Sequence, residues 1–247
     1  MNVPPHRRAA VPAGVAGLTR ALEAEGEFER KVRQTYKPVG NNSKKHRRSM
    51  KKLFSTIGAV LVSSFSLFAA AEIGKPAPDF AAGDIQGRTQ RFSDYKGKII
   101  VLEAYNLDCP FCRHHYKTGA MQELQAELTA KDVVWFVVNS VNPKNPSHRS
   151  AEAAQKEWDT QKIKATAWLD DSSGQIGKAY GMKTTPHLFV VAKDATIAYQ
   201  GAIDDRPSTE GYPRTARNYV REAVNALLAG KQVSVAQTKP YGCGVKY

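Results

Sequence analysis

Eight consecutive residues, Asp108-Cys109-Pro110-Phe111-Cys112-Arg113-His114-His115, constrain this 247-residue chain more than any other stretch. They contain two of its three cysteines, spaced Cys-x-x-Cys. Upstream, Lys98-Ile99-Ile100-Val101-Leu102-Glu103-Ala104-Tyr105 reads as a mostly buried strand. Downstream, Phe111, Met121, Leu124 and Leu128 recur at helical intervals, predicting one helix as far as Lys131 with Pro110 at its first position. A strand that delivers a cysteine to a helix N-terminus has a chemical consequence. Unpaired amides and the positive helix end stabilise a thiolate, so Cys109 is expected to be the more nucleophilic thiol. Cys112, one turn on, can then attack a mixed disulfide formed at Cys109.

Three cysteines are too few to build a fold from disulfides, so an apolar core must stabilise the chain and the thiols are free for chemistry. The formal charge of +13 is uneven: residues 1 to 71 hold 13 Lys and Arg against 4 Asp and Glu, leaving 23 against 19 for the rest. Most of the basic excess therefore lies outside the expected folded domain, which argues against nucleic acid as a partner.

Residues 1 to 49 mix Pro, Gly, Ala and charge with no apolar face to bury, and read as a disordered leader upstream of a start at Met50. From Met50 the pattern changes. Lys51-Lys52 is a basic n-region, Leu53 to Phe68 is apolar, and Ala69-Ala70-Ala71 supplies small residues, so 50–71 reads as a signal peptide cut after Ala71. The competing reading is a retained membrane anchor. Either way the domain at 72–247 is placed in the periplasm or outside the cell, where disulfides persist.

Within that domain, Phe80 to Phe92 predicts a hairpin turning at Asp84-Ile85-Gln86-Gly87-Arg88, and Ser93 to Gly97 a short helical turn. Val133 to Asn139 is a continuous run of β-formers, hence an interior parallel strand. Helices are expected over Ala151–Ile163, from a cap at Asp170–Ser173 to Gly181, and over Thr215–Leu228, with strands at Ala165–Leu169, Leu188–Ala192 and Ile197–Ala202. The order is that of an α/β fold, a mixed central sheet with helices on both faces. The charges at Asp204-Asp205-Arg206 and Arg214, Arg217 and Arg221 read as a solvated face.

Strand, Cys-x-x-Cys, helix, strand, and later Thr185-Pro186 before a hairpin resemble the thioredoxin fold. The Pro76-Ala77-Pro78-Asp79-Phe80 lead-in and the inserted helix make the chain similar to the redoxin branch. That branch comprises exported thiol–disulfide oxidoreductases and the alkyl hydroperoxide reductase/thiol-specific antioxidant proteins. The resemblance implies catalysis by Cys109 and Cys112. It implies a cis-proline turn at Thr185-Pro186 that presents backbone to a substrate strand, and a buried acid, Glu103, that relays protons to the second thiol. It implies a protein or small-molecule disulfide or thiol as partner, and no cofactor. A narrower bacterial group shares Cys-Pro-Phe and a terminal Tyr-Gly-Cys-x-Val-Lys-Tyr, here Tyr241 to Tyr247, often with an aliphatic residue at the Cys112 position. In that setting Cys243 is a possible resolving cysteine, its alternative being a free or intermolecular thiol.

Two further readings accompany this one. A thiol peroxidase would use Cys109 as peroxidatic cysteine, but Leu102 and Asn106 stand where that family's Pro and Thr belong. A copper- or zinc-binding protein could recruit His114, His115 or His187 to the cysteines, although histidines early on a helix are expected at the surface and no metal site is assigned. Arg113 is expected to support the Cys109 thiolate, and because it replaces the histidine of a c-type haem motif, haem is disfavoured.

Overall fold

The apolar run before the cysteines becomes the middle strand of a five-stranded sheet. In the computed structural model, residues 70–211 and 215–247 are described. The leader, all of the signal segment except Ala70 and Ala71, and Arg214 lie outside them. A hairpin of β1 (Ala81–Gly83) and β2 (Thr89–Arg91) leads through a 3-10 turn at Phe92–Tyr95 to β3 (Ile100–Ala104). Then follow α1 (Pro110–Lys117), α2 (Ala120–Thr129), β4 (Val134–Asn139), α3 (Ala151–Gln161), β5 (Ala167–Asp170) and α4 (Gln175–Tyr180). The chain ends with β6 (Thr184–Thr185), β7 (His187–Val191), β8 (Ile197–Gly201), α5 (Tyr219–Leu228) and β9 (Cys243–Gly244). The sheet order is β5-β4-β3-β7-β8, with β3, β4 and β5 parallel and β7 and β8 antiparallel.

Every residue of β3, β4 and β7 is buried because both faces of the sheet are covered. Val101, Trp135, Val137, Leu188 and Val190 pack on one side with Met121, Leu124 and Leu128 of α2 and Val220, Ala223 and Val224 of α5. Ile100, Leu102, Phe136, Val138, Phe189 and Val191 pack on the other with Phe80, Phe92, Ile176 and Tyr180. The two-residue period of β3 therefore sends Glu103 to the α2 face, beneath the cysteine helix.

Three expectations need correction. The single helix after Cys109 is two, because Thr118 shares its hydroxyl proton between the His114 and His115 carbonyls at 2.9 and 3.1 Å, and Gly119 turns the chain at φ 76°. That backbone region admits glycine without a Cβ penalty. The last helix starts at Tyr219 rather than Thr215, since the Asn218 side chain caps it by accepting from the Arg221 amide at 2.8 Å. Asp204 is not part of a solvated face: it is buried and accepts from the Tyr241 hydroxyl at 2.6 Å, whereas Asp205, Arg206 and Arg217 are exposed. Near the C-terminus, β9 pairs antiparallel with β6.

Asp171 anchors α4. Buried at the end of β5, it accepts from the amides of Ile176 and Gly177 at 2.9 and 2.8 Å and from the Ser140 hydroxyl at 2.6 Å. Asp171→Ala strands three buried donors and is expected to lower stability by about 2–4 kcal/mol. The measurement is urea unfolding, where the midpoint should fall with an unchanged slope.

Candidate active site

The chain leaves β3 through an Asx turn, in which the Asn106 side chain accepts from the Asp108 amide at 2.9 Å and its carbonyl from the Cys109 amide at 3.0 Å. Cys109 is thereby set as the N-cap residue of α1, with extended backbone at φ −74° and ψ 122° and proline following it inside the first turn. Arg149 braces this loop from α3's side, pairing with Asp108 at 2.8 Å and with Glu157 at 2.9 Å. Cys109 is 2% exposed and Cys112 is fully buried.

The two thiols are driven in opposite directions. Hydrogen bonding from the Cys112 side chain is the largest influence on Cys109. Acting against burial, and with help from Cys243, the Cys112 backbone and Thr185, it brings the Cys109 thiol from 9.0 down to about 4. The Cys243 amide donates to the Cys109 sulfur at 3.4 Å. The Thr185 carbonyl, 2.8 Å away, works the other way, since it accepts the proton of the neutral thiol. Cys112 is pushed well above its ordinary range, first by burial, then by its hydrogen bond to Cys109 and by the Cys109 charge. One thiolate and one held proton, a helical turn apart, is the arrangement that sequential thiol–disulfide exchange uses.

Glu103 lies fully buried on the same side of the sheet. Its carboxyl accepts from the Tyr116 hydroxyl at 2.9 Å, the Gln125 amide at 3.1 Å and the Trp135 indole at 2.9 Å. Burial pushes it from 4.5 up to about 7, against those three hydrogen bonds. A negative Glu103 in turn raises Cys112 further, so the two groups sense each other's protons. The holders Tyr116, Gln125 and Trp135 were not visible in the sequence as site residues. Their only signal was polar or amphipathic side chains on otherwise apolar stripes.

The Thr185–Pro186 peptide is cis, and Thr185 is 3% exposed. Thr185 pairs with Cys243 and Thr184 with Gly244, so all three cysteines meet at one point. Near them, His115 corrects the expectation of a surface histidine: it is 2% exposed, under Tyr241. Tyr241 gives its one hydroxyl proton to Asp204, so the 3.1 Å contact with His115 Nε2 requires that nitrogen to be the donor. His115 Nδ1 is then a buried acceptor without a partner. Burial, with a smaller effect of His114, lowers His115 to about 4, so it is neutral at physiological pH. His187 is engaged elsewhere, accepting from the Lys183 amide at 3.2 Å and lying 4.4 Å from the Phe189 ring. Among the described residues, no group of three or more His, Cys, Asp or Glu is arranged to hold a metal ion. Arg113 spends its guanidinium on the Leu107 and Asp108 carbonyls at 3.2 and 3.0 Å, so the Cys109 thiolate owes more to its hydrogen-bonding neighbours.

The raised Glu103 carboxyl has a sign that can be checked. Between about pH 4.5 and 7 the unfolded chain has released this proton and the native chain has not, so stability falls as pH rises through that window. Glu103→Gln costs stability at every pH, because a carboxamide cannot accept from three donors as a carboxylate does. The diagnostic is the difference between the two proteins. Chemical denaturation from pH 4 to 8 is expected to show wild type losing stability relative to Glu103→Gln across the window and level above it.

Known proteins similar to this chain include thiol-disulfide oxidoreductases. The chain is 26% identical over 146 residues to the thiol-disulfide oxidoreductase ResA of Geobacillus thermodenitrificans, covering 59% of this chain and 78% of the relative. It is 27% identical over 126 residues to ResA of Bacillus thuringiensis, covering 51% and 67%. Among solved structures, an uncharacterized conserved protein from Geobacillus kaustophilus superposes with a TM-score of 0.64 at 28% identity, covering 71% of this chain and 92% of that one. A hypothetical protein from Sinorhizobium meliloti shares the fold with a TM-score of 0.62 at 22% identity, covering 72% and 96%. The profile of the AhpC/TSA family matches residues 73–200, from the lead-in through both helix-tip cysteines and the cis-proline turn to β8. The chain belongs to the AhpC/TSA family of thioredoxin-fold redoxins.

Proposed function

We propose that this redoxin is an exported thiol–disulfide oxidoreductase whose working pair is Cys109 and Cys112. The observation that carries the reading is the opposite ionisation of two cysteines one turn apart above a buried carboxyl poised near neutrality. In the reducing direction the Cys109 thiolate attacks one sulfur of a partner disulfide, forming a mixed disulfide and releasing the partner's other sulfur as a thiolate. Cys112 then gives its proton to Glu103 and attacks the Cys109 sulfur. The intramolecular disulfide forms, the second partner sulfur leaves, and two electrons have passed to the partner. The oxidising direction is the reverse. Thr185 and Pro186 would position the partner chain, which for relatives named thiol-disulfide oxidoreductases points to protein thiols.

Export rests on the sequence: a basic n-region, an apolar core and a small-residue end at 50–71. Among the described residues no helix is long and apolar enough to cross a membrane.

A thiol peroxidase would start from the same thiolate, with a Cys109 sulfenate resolved by Cys112 or by Cys243, whose amide already touches the sulfur. The surroundings favour it less. Leu102 is packed in the core and the Asn106 side-chain oxygen is taken by the Asp108 amide, so neither position offers a hydroxyl to a peroxide. The metal-carrying reading lacks a ligand set among the described residues.

The test is a redox titration of the mature domain with its disulfides mapped by mass spectrometry. A reversible two-electron Cys109–Cys112 couple is expected, abolished in Cys109→Ser, with Cys112→Ala trapping a mixed disulfide at Cys109. Absence of any reversible bond between the two would overturn the reading. Fastest oxidation by peroxide into Cys109–Cys243 would select the peroxidase.

A further inference from the structure

The outer edge of β6 is occupied by the chain's own end. β9 supplies the antiparallel ladder, and flanking bonds extend it: the Val245 amide donates to the Lys183 carbonyl at 3.2 Å and the Asn142 amide to the Lys246 carbonyl at 2.7 Å. The path is shaped for this segment. Gly242 sits at φ 132°, and a Cβ there would lie 2.1 Å from the Thr185 carbonyl oxygen, a backbone atom that cannot swing aside. Tyr247 lies across two glycines of the α4 region: a Cβ on Gly174 or Gly177 would come within 2.7 Å of its side chain. Its hydroxyl donates to the Met182 carbonyl at 2.8 Å. At the other end, Tyr241 is fixed by Asp204 and His115 and lies 5.7 Å from the Phe111 ring. Between these anchors Cys243 stands opposite Thr185, where a partner's cysteine would have to come to bond Cys109.

The geometry points to residues 241–247 as a resident substitute for the substrate strand, which an extended, cysteine-bearing polypeptide must displace to reach Cys109. This rests on the reading of Cys109 as the nucleophile. With the tail docked, Cys109 is 2% exposed, so a protein disulfide has no approach to it. Exchange is feasible because an incoming strand replaces the same backbone hydrogen bonds, and β9 itself is two residues long. A strand that follows the tail's path also needs glycine before its cysteine, since any Cβ there meets the Thr185 carbonyl.

The occupancy has a covalent form that balances without an added oxidant. When Cys109 and Cys112 are joined, the Cys243 thiolate can attack Cys109. The Cys109–Cys112 bond breaks, Cys109–Cys243 forms, and the electron pair leaves on Cys112, which takes the proton. Closing the pair also removes the hydrogen bond to the Cys109 thiolate and the charge on it that, after burial, raise Cys243.

The experiment is alkylation of the reduced full chain with iodoacetamide, followed cysteine by cysteine by mass spectrometry. Gly242→Val and Tyr247→Ala release the tail at different points and are expected to speed labelling of Cys109 by about tenfold or more. Cys243→Ser, which keeps the strand, should leave Cys109 protected. Cys112 reports the fold in each sample, since it labels only if the domain opens. In the unaltered chain, an excess of a peptide of residues 239–247 carrying Cys243→Ser is expected to speed labelling of Cys243 by displacing the tail. Equal Cys109 labelling in wild type and both release variants, with no effect of the peptide on Cys243, would overturn the inference. Failure of Cys109 to label in any of them would instead overturn its assignment as the nucleophile.

Discussion

Two sulfurs one helical turn apart in a nearly water-free site cannot both be charged, and the rest of the structure is arranged around which of them is. Hydrogen bonds from Cys112 and Cys243 converge on Cys109, so the charge settles there. Cys112, deeper and fully buried, keeps its proton. The sheet contributes by register: the residue of β3 that faces the cysteine helix at this depth is Glu103, paired between Val137 and Leu188. Three side-chain donors fix its carboxyl, yet burial outweighs them and keeps it protonated until near neutral pH. Near and above neutral pH its ionised form is the base to which the proposed exchange assigns the Cys112 proton.

Part of this was legible in the sequence, because an apolar strand run and Cys-x-x-Cys spacing act locally. The run from Ile100 to Ala104 read only as a buried strand; it was the resemblance to the thioredoxin fold that put Glu103 beneath the cysteines and made Thr185-Pro186 the turn that meets them. What could not be read depended on contacts distant in sequence. Asp204 looks like one more acid in a charged loop, but Tyr241 reaches across 37 residues to bury it. His115 looks like a surface histidine until the same tyrosine covers it. The break at Gly119 was written as Thr-Gly within a helical pattern, and the periodic apolar residues on either side concealed it.

The tail shows the same contrast most clearly. Tyr241-Gly242-Cys243-Gly244-Val245-Lys246-Tyr247 is recognisable as a motif, but no periodicity explains its composition. Each residue is explained by what it lies against: Gly242 by a backbone carbonyl, Tyr247 by glycines of the α4 region, Tyr241 by a buried acid and a neutral histidine. The segment that completes the thiolate's hydrogen bonds is also the one that hides it. Reactivity and access are therefore coupled through Cys243, half-buried at the boundary.

The central claim is that Cys109 carries a standing negative charge in the reduced protein. The most direct measurement is the thiolate ultraviolet absorbance of the reduced chain as a function of pH, with Cys109→Ser as reference. The expected result is one thiolate per chain at pH 6, disappearing with a midpoint near 4 and missing from the reference. An absorbance that emerges only near pH 9, as for an ordinary thiol, would contradict it.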